Sequence, residues 1–253
     1  MIDNRLEYQR MFEVEQKLWW YQVLHEKVLT SIKRHFGEKK VSILDAACGT
    51  GGLLSFLKIN GYTSLTGFDY SQHAIDFSHE RDLSVGFGDL RNVQDFLPGK
   101  TFDVICCNDA LYFLSDDEIV QALRAFKDRL NENGLLIINI HAFEAFSGTH
   151  DLAVGSQRRF KLNDFGGYTA AAGLKITHST YWPFALSLPI LAVRQWQKFR
   201  IRNSNLSVEH VDSDVKFPGE AINSILKAIT KTESAVLSSA PFGSSLFMTI
   251  KPI

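Results

Sequence analysis

The spacing of the hydrophobic residues changes near residue 40. Up to Phe36, apolar side chains recur every three or four positions, which predicts one long amphipathic helix or two short ones. Beyond that point, short apolar runs alternate with helical patterns. Buried strands are predicted at 41–46, 64–68, 84–87, 102–107 and 134–140. Helices are predicted between them, at 51–60, 71–81 and 115–131.

The helix at 115–131 has the clearest boundary signals. Ser115 and Glu118 have the spacing of a capping box, an apolar stripe follows, and Gly134 stands just beyond the helix. Regular alternation of strands with such helices predicts an α/β fold, in which a doubly wound parallel sheet carries helices on both faces.

The C-terminal part of the chain is less regular. A helix is predicted at 162–172 and stops at Gly173, and a strand follows at 174–181. Residues 203–218 have the composition of a polar loop. A helix at 219–237 and an edge strand at 245–251 are predicted to complete the sheet.

Composition favours a single domain that binds a small molecule. The chain has 253 residues, 45% of them hydrophobic and 22% charged, which is enough to bury one sizeable core. Its net charge of -1 provides no general attraction to nucleic acid or to an anionic membrane. The three cysteines lack metal-site spacing and are expected to be buried fillers. With no signal peptide at the N-terminus, we expect a cytoplasmic protein without a metal site.

The stretch ILDAACGTGG, residues 43–52, joins the first predicted strand to a helix. Ligands of doubly wound sheets bind at the carboxyl ends of the strands. Gly49 and Gly51 allow positive φ angles and a close approach of a ligand to the backbone, and the helix that follows offers unpaired N–H groups to an anion. The spacing of Ala47, Gly49 and Gly52 also fits, loosely, the dinucleotide-binding pattern of nicotinamide-dependent enzymes.

A second signature in this stretch favours another cofactor. Two apolar residues before Asp45, followed by Cys48-Gly49-Thr50-Gly51, closely resemble motif I of the class I S-adenosylmethionine-dependent methyltransferases. That family usually has glycine where Ala47 stands. The resemblance implies S-adenosylmethionine as cofactor and a Rossmann-like, seven-stranded sheet whose last strand is antiparallel. Asp45, Ala47, Gly49 and Gly51 would then belong to the cofactor site.

Later motifs follow in the order of that family. Asp69 ends the second strand, 20 residues after Gly49 (69 minus 49), where a carboxylate accepts hydrogen bonds from ribose hydroxyls. Asp89 resembles the family's acid at the adenine amino group, with Tyr70 and Leu90 flanking the ring. Asn108, after the fourth strand, resembles the residue that packs beside the methionine moiety.

The N-terminal segment at 13–28 resembles that of a bacterial subgroup with a Trp-Trp-aromatic element, which adds Trp20 to the predicted cofactor site. The subgroup commonly has histidine where Leu18 stands. It also has a His-Asp pair and an Arg-Arg-aromatic element after the fifth strand, here at 150–151 and 158–160. Such proteins occur around polysaccharide, lipid-linked sugar and secondary-metabolite pathways, so no single substrate is implied.

Methyl transfer to a hydroxyl group requires alignment of the acceptor and help with its deprotonation. His150 is the candidate general base, with Asp151 as its electrostatic support. Adjacent side chains in an extended segment point in opposite directions, however, so the alternative is a surface loop in which Asp151 pairs with Arg158. His141 is expected to act from behind the residues that touch the acceptor.

Residues 182–202 combine aromatic and basic side chains around an apolar core that contains Pro183 and Pro189. The core is too short to span a bilayer. Three roles remain open: a lid over the acceptor pocket, a dimer contact, or a weak contact with a membrane surface. The prolines are expected to interrupt an amphipathic helix, which favours the lid.

These patterns predict one methyltransferase domain with four parts: a helical cap at 1–40, a cofactor core at 41–181, a lid or interface insertion at 182–218 and a closing helix and strand at 219–253. The predicted activity is methylation of a small-molecule acceptor at oxygen, by a monomer or homodimer that does not act on nucleic acid. The acceptor is expected to be apolar, aromatic, or linked to a lipid or sugar. The alternatives are a binding or scaffold protein without turnover and a nicotinamide-dependent oxidoreductase.

Overall fold

The computed structural model describes residues 5–149, 151, 155–156, 158–203 and 217–253, with the backbone alone at 200–203. Its helices are α1 (Arg5–Val14), α2 (Trp19–Phe36), α3 (Gly52–Ile59), α4 (Gln72–His79), α5 (Asp116–Arg129), α6 (Leu162–Ala171), α7 (Ser187–Asn203) and α8 (Glu220–Val236). Its strands are β1 (Ile43–Ala46), β2 (Leu65–Asp69), β3 (Val85–Phe87), β4 (Phe102–Asn108), β5 (Leu130–His141), β6 (Leu174–Trp182) and β7 (Ser245–Pro252). The elements of the predicted cofactor core therefore form, with ends that differ by a few residues.

The strands form one seven-stranded sheet in the order β3-β2-β1-β4-β5-β7-β6. Strands β1 to β5 are parallel, whereas β7 runs antiparallel to both β5 and β6. The strand order reverses between β1 and β4, which is where ligands bind in open α/β sheets. The predicted doubly wound fold, with its last strand antiparallel, is confirmed.

The prediction that the last strand lies at an edge of the sheet is wrong. Strand β7 lies between β5 and β6, and β6 is the edge strand. Six successive residues of β7, from Ser245 to Ile250, are buried, as expected for a strand that is covered on both faces and paired on both sides. Most residues of β6 remain partly exposed.

Helices cover both faces of the sheet, and the adjacent cysteines of β4 show how the faces are divided. Cys107 packs in the cluster that includes Ile119 and Phe126 of α5, and Cys106 packs in the opposite cluster with Val28 of α2. Alternating side chains of a strand point to opposite faces, so each sulfur fills one core. All three cysteines are free and buried, as predicted.

The N-terminal periodicity belongs to two helices rather than one. Helices α1 and α2 are separated by a turn at 15–18. Helix α1 packs against α4, and α2 packs against α8 and the sheet. The side chain of Asn223 on α8 accepts a hydrogen bond from the Trp19 amide at 2.7 Å and donates to the Lys17 carbonyl at 2.9 Å. A contact that is remote in sequence thus fixes the start of α2.

Helix α7 contradicts the expectation that two prolines interrupt the segment at 182–202. Pro183 precedes the helix, and Pro189 lies in its first turn. Backbone N–H groups in the first turn of a helix have no intrahelical partner, so a proline there removes no hydrogen bond. The remaining residues of the segment are therefore free to form a continuous helix.

Candidate functional site

A cavity of about 400 Å³ opens at the carboxyl ends of the central strands, where the strand order reverses. Its walls bring together nearly all of the predicted cofactor residues. These are Trp20, Asp45, Ala47, Gly49, Asp69, Tyr70, Asp89, Leu90 and Asn108. Gly51 is the exception, because it lies behind the turn and not on the cavity wall.

Left-handed backbone conformations shape the glycine turn. Ala47, Gly49 and Gly51 have φ angles of 58°, 55° and 78°. At Gly51 an added Cβ would lie 2.5 Å from the side chain of Leu83 and 2.9 Å from that of Ser78, so only glycine fits. Ala47 adopts the same region despite its Cβ, at a cost of roughly 1–2 kcal/mol. A positive φ is the conformation that glycine adopts most readily, which agrees with the glycine that the motif I resemblance implies at this position.

Asp69 holds the turn in place from the end of β2. Its carboxylate accepts hydrogen bonds from the backbone N–H groups of Gly49 and Ser71, both at 2.9 Å. Burial raises the pKa of Asp69, and these backbone bonds act in the opposite direction. Each carboxylate oxygen has a second lone pair, so Asp69 can also accept hydrogen bonds from a ligand in the cavity.

Asp45 lies at the end of β1 with 3% of its surface exposed. Burial, together with the negative charges of Asp69 and Glu15, raises the pKa of Asp45 well above its ordinary value. A positively charged ligand group in the cavity would relieve this repulsion. The cluster of carboxylates at this end of the cavity therefore favours a cationic ligand.

The other end of the cavity is more open. Asp89 follows β3, and its carboxylate accepts a hydrogen bond from the Arg91 amide at 2.9 Å, which caps a short 3-10 turn that begins at Leu90. Tyr70 is 47% exposed, and its ring lies 5.4 Å from that of Phe87. A planar ring can therefore lie between Tyr70 and Leu90 beside the Asp89 carboxylate.

The N-terminal helices form a roof over the cavity. Tyr8 and Met11 of α1 and Trp20 and Tyr21 of α2 all line it. The Met11 sulfur would lie 3.1 Å from a Cβ added at Gly49, so the roof meets the glycine turn directly. Of these four residues only Trp20 is predicted from the sequence, because the positions of α1 and α2 relative to the sheet depend on tertiary contacts.

A buried ion pair fastens this roof. Glu15, between α1 and α2, pairs with Arg81 at 2.5 Å, and both side chains are less than a tenth exposed. Thr50 of the glycine turn donates a hydrogen bond to the same carboxylate. Arg81 also bonds the Phe12 carbonyl at 2.9 Å. Glu15, a charged residue beside the apolar stripe of the N-terminal segment, was the one sequence signal for this ion pair.

Asn108 and Asp109 end β4 inside the cavity. Asp109 has a φ of 49°, and its Oδ2 accepts a hydrogen bond from the side-chain amide of Asn139 at 2.8 Å. The side-chain oxygen Oδ1 of Asn139 accepts a hydrogen bond in turn from the Trp182 indole N–H at 2.8 Å. Among the described residues, neither Oδ1 of Asn108 nor Oδ1 of Asp109 has a hydrogen-bond partner, although both atoms are buried. Such oxygens indicate a place for ligand groups that donate hydrogen bonds.

His141, at the end of β5, also lines the cavity, which the expectation that it acts from behind the site did not anticipate. Its ring is stacked on Tyr112, with 4.9 Å between ring centroids and 14° between planes. The Nε2 atom is 3.6 Å from Oδ1 of Asp109, and Nδ1 is 3.9 Å from Oδ1 of Asp151. The imidazole thus stands between two carboxylates.

The predicted catalytic pair is only partly visible. His150 lies outside the described residues. Asp151 forms a two-pronged ion pair with Arg159, at 2.7 and 3.0 Å, and it is Arg159 that reaches the cavity wall. Arg158 pairs with Asp116 instead, so the alternative pairing of Asp151 with Arg158 is wrong. Although burial acts in the opposite direction, Arg159 lowers the pKa of Asp151.

The described ranges contain no cluster of three or more histidine, cysteine, aspartate or glutamate side chains able to hold a metal ion. They also contain no helix that is both long and apolar enough to cross a membrane.

Comparison with known proteins agrees with this geometry. Residues 43–134 match a methyltransferase domain. A Bacillus subtilis protein named as a methyltransferase, YqeM, is 28% identical over 109 residues, which are 41% of this chain and 44% of that protein. The chain therefore spans less than half the length of this curated relative.

Two solved structures share the fold. An S-adenosylmethionine-dependent methyltransferase from Clostridium acetobutylicum has a TM-score of 0.56 at 14% identity, with 90% of each chain covered. Magnesium protoporphyrin IX methyltransferase from Synechocystis, with bound SAH, has a TM-score of 0.52 at 17% identity, covering 64% of this chain and 77% of that one. The predicted Rossmann-like architecture is confirmed by these likenesses.

Proposed function

We propose that the chain is a class I S-adenosylmethionine-dependent methyltransferase, since residues 43–134 match a methyltransferase domain, and that it transfers a methyl group to an oxygen of a small, apolar or aromatic acceptor. The acceptor is either free or carried on a lipid or sugar. The single observation that carries this proposal is one cavity that joins the carboxylates and bare backbone of a cofactor site to a wall of aromatic side chains.

The residues of the cavity fit the cofactor. Asp69 would accept the ribose hydroxyls, and Asp89 with Tyr70 would hold the adenine ring. The backbone at Gly49 and the unpartnered Oδ1 of Asn108 would hold the amino-acid end. When bound, S-adenosylmethionine supplies an electrophilic methyl group on a positively charged sulfur. The carboxylates around Asp45 would attract that positive charge.

The acceptor end of the cavity is mostly apolar. It is lined by Trp19, Tyr112, Phe113, Leu114 and Ile190. Aromatic and aliphatic side chains gain most by covering a similar surface, and they exclude water from the methyl group. Alignment of such an acceptor is the main task of the protein, because the methyl donor is already reactive.

Two alternatives remain from the sequence. The match of residues 43–134 to a methyltransferase domain argues against the nicotinamide-dependent oxidoreductase. A binding or scaffold protein without turnover would have the same fold and the same cofactor site. The side chains of Asp109 and His141 on the cavity wall favour turnover, and activity measurements distinguish the two.

Calorimetry and a transfer assay test the proposed function together. We expect S-adenosylmethionine and S-adenosylhomocysteine to bind and NAD not to bind, because the carboxylates of Asp45, Asp69 and Glu15 beside the glycine turn would repel the pyrophosphate of a dinucleotide. Radiolabelled methyl transfer to a panel of phenols, hydroxylated lipids and nucleotide sugars should label an acceptor at oxygen. Cofactor binding without label transfer to any of them would favour the scaffold protein, and labelled nitrogen would exclude oxygen as the methylated atom.

Helix α7 is expected to form part of the acceptor wall rather than a membrane contact. Ile190 and Arg194 line the cavity, and Lys198 donates a hydrogen bond to the Glu144 carbonyl at 3.3 Å. Two of the basic side chains are thus directed into the fold. We therefore expect no salt-sensitive flotation of the intact protein with phosphatidylglycerol vesicles, and the same result with neutral phosphatidylcholine vesicles. Strong flotation at low salt that disappears at high salt would instead show a membrane contact through α7.

A further inference from the structure

We propose that Asp109 takes the proton from the acceptor hydroxyl, with His141 as the second group that binds that hydroxyl. This assignment rests on the proposed function and deepens it. It replaces His150, the predicted base, with a side chain that belongs to the rigid end of a central strand. Three features of the site support this assignment: the fixed orientation of the Asp109 carboxylate, its oxygen without a hydrogen-bond partner among the described residues, and the position of the His141 imidazole.

A chain of hydrogen bonds fixes the Asp109 carboxylate. The Trp182 indole N–H can only donate a hydrogen bond, and it donates to the side-chain oxygen Oδ1 of Asn139 at 2.8 Å. The amide nitrogen of Asn139 must therefore face Asp109, where it donates to Oδ2 at 2.8 Å. The Trp182 ring is itself fully buried and stacked on Trp20, with 5.3 Å between centroids. One carboxylate oxygen is consequently held in place and the other is left to the cavity.

That other oxygen, Oδ1, is buried and has no hydrogen-bond partner among the residues that the structure describes. It lies 3.6 Å from Nε2 of His141, which is too long for a good hydrogen bond. Oδ1 of Asp109 and Nε2 of His141 thus lie next to each other on the cavity wall, 3.6 Å apart. A hydroxyl group placed there can donate to Oδ1 of Asp109 and contact the imidazole at the same time.

The surroundings distinguish Asp109 from the other nearby carboxylate. Burial raises the pKa of Asp109 to about 7, although the bond from Asn139 and the charge of Arg159 act in the opposite direction. Arg159 lowers the pKa of Asp151 and occupies both of its oxygens. A general base works best when its pKa lies near the operating pH. Asp109 therefore accepts a proton at neutral pH more readily than Asp151 does.

The other groups that face this pair come from three elements. Tyr112, in the turn after β4, stacks on the imidazole, and Tyr21 of the roof faces Asp109 from α2. Burial raises the pKa of both tyrosines, so they stay neutral over the working range. Arg159 is the one cation that the structure describes as acting on Asp109. Of these groups, Asp109 is the one whose pKa lies near neutral pH.

The proposed step couples the loss of the acceptor proton to the transfer of the methyl group. The acceptor O–H bond breaks, its proton moves to Oδ1 of Asp109, and the oxygen uses the released electron pair to bond the methyl carbon. The bond between that carbon and the sulfonium sulfur breaks, and its electron pair stays on sulfur. The carboxylate ends as a neutral carboxylic acid, which the buried site favours, and it returns the proton to water after the product leaves.

The first measurement needs no acceptor. Isotope-edited NMR of the aspartate carboxyl carbons, in the full-length protein saturated with S-adenosylhomocysteine, should show one buried carboxyl that titrates near neutral pH. Its signal should be missing in Asp109→Asn and shifted in His141→Gln. Asp116→Asn changes an exposed carboxyl outside the cavity, and this control should leave the titration unchanged. An Asp109 carboxyl that titrates in the ordinary range of exposed aspartates would overturn the proposal.

The second measurement uses two acceptor probes at saturating cofactor, phenol and 4-nitrophenol. Phenol must lose its proton during transfer, whereas 4-nitrophenol is largely ionised at slightly alkaline pH. We expect Asp109→Asn to slow single-turnover methylation of phenol by about 10²–10⁴-fold and to spare 4-nitrophenol. The rate with phenol should rise with pH up to about 7 in the unchanged protein and lose that dependence in Asp109→Asn.

The two measurements separate this proposal from the proposed function. Equal losses with both phenols would mean that Asp109 only supports the fold of the site, which would overturn its role as base. If the unchanged protein methylated neither phenol, the aromatic acceptor of the proposed function would be wrong. The carboxyl titration would still decide whether Asp109 is able to hold a proton at neutral pH.

Discussion

Replacement of Glu15 by alanine is expected to lower the free energy of unfolding by about 3–5 kcal/mol, because it leaves Arg81 buried without its counter-charge. Both side chains are almost fully buried, and their ion pair at 2.5 Å also includes the Thr50 hydroxyl. Urea denaturation of the full-length protein, followed by tryptophan fluorescence, measures the loss. A value below about 1 kcal/mol would show that the pair contributes no more than an exposed one.

The chain offers a matched control for this prediction. Glu7 pairs with Arg10 on the same helix at 2.6 Å, but Arg10 is 41% exposed. Glu7→Ala should therefore change stability by less than about 1 kcal/mol. The double variant Glu15→Ala with Arg81→Met should recover part of the lost stability, because it removes the unpaired charge as well. Without that recovery, the destabilisation would come from lost packing rather than from the ion pair.

Replacement of Asp69 by alanine is expected to weaken S-adenosylhomocysteine binding by roughly 10- to 100-fold, which corresponds to about 1.5–3 kcal/mol for lost charge-assisted hydrogen bonds. Asp69 has two roles, since it faces the cavity and also holds the Gly49 and Ser71 amides. Isothermal titration calorimetry gives the dissociation constant directly. An unchanged constant in Asp69→Ala would mean that the ribose does not bind at the end of β2.

Two further variants separate these roles. Asp69→Asn keeps one acceptor oxygen and loses the charge, so its affinity should fall between those of the unchanged protein and Asp69→Ala. Asp76→Ala removes an exposed carboxylate of α4 that bonds Gln72 at 2.8 Å, and it should not change the affinity. Thermal unfolding without ligand measures how much of the Asp69→Ala effect is loss of the glycine turn itself.

Local patterns were sufficient for the cofactor core. Alternating apolar runs and capped helices predicted the elements from β1 to β5, and the glycine turn with Asp69 and Asp89 predicted where they would converge. The site could be predicted in this way because the carboxyl ends of parallel strands lie at the same edge of the sheet. Residues that directly follow successive strands therefore lie close together. Strand β7 was predicted at an edge but lies inside the sheet, because strand order depends on pairing between segments far apart in the chain.

The contacts at the acceptor end of the cavity could not be predicted from local patterns. A histidine beside an aspartate at 150–151 suggested a catalytic pair, whereas the structure pairs Asp151 with Arg159 and brings His141 to Asp109 instead. Adjacent residues in a chain need not share a contact, and residues more than thirty positions apart can meet at the ends of neighbouring strands. By sequence Asp109 could be a plain turn residue, and its chemical interest comes from burial, from the bond that Asn139 donates and from the nearby His141 ring.

The sequence by itself determined the α/β fold, the cofactor class and three of the carboxylates that line the cavity, Asp45, Asp69 and Asp89, because each depends on local spacing or on a short motif. Only the tertiary structure decided how α1 and α2 close over that cavity through Glu15 and Arg81, and which side chains meet at its acceptor end. Those contacts join segments remote in sequence, and the pKa of Asp109 follows from burial that no local pattern encodes.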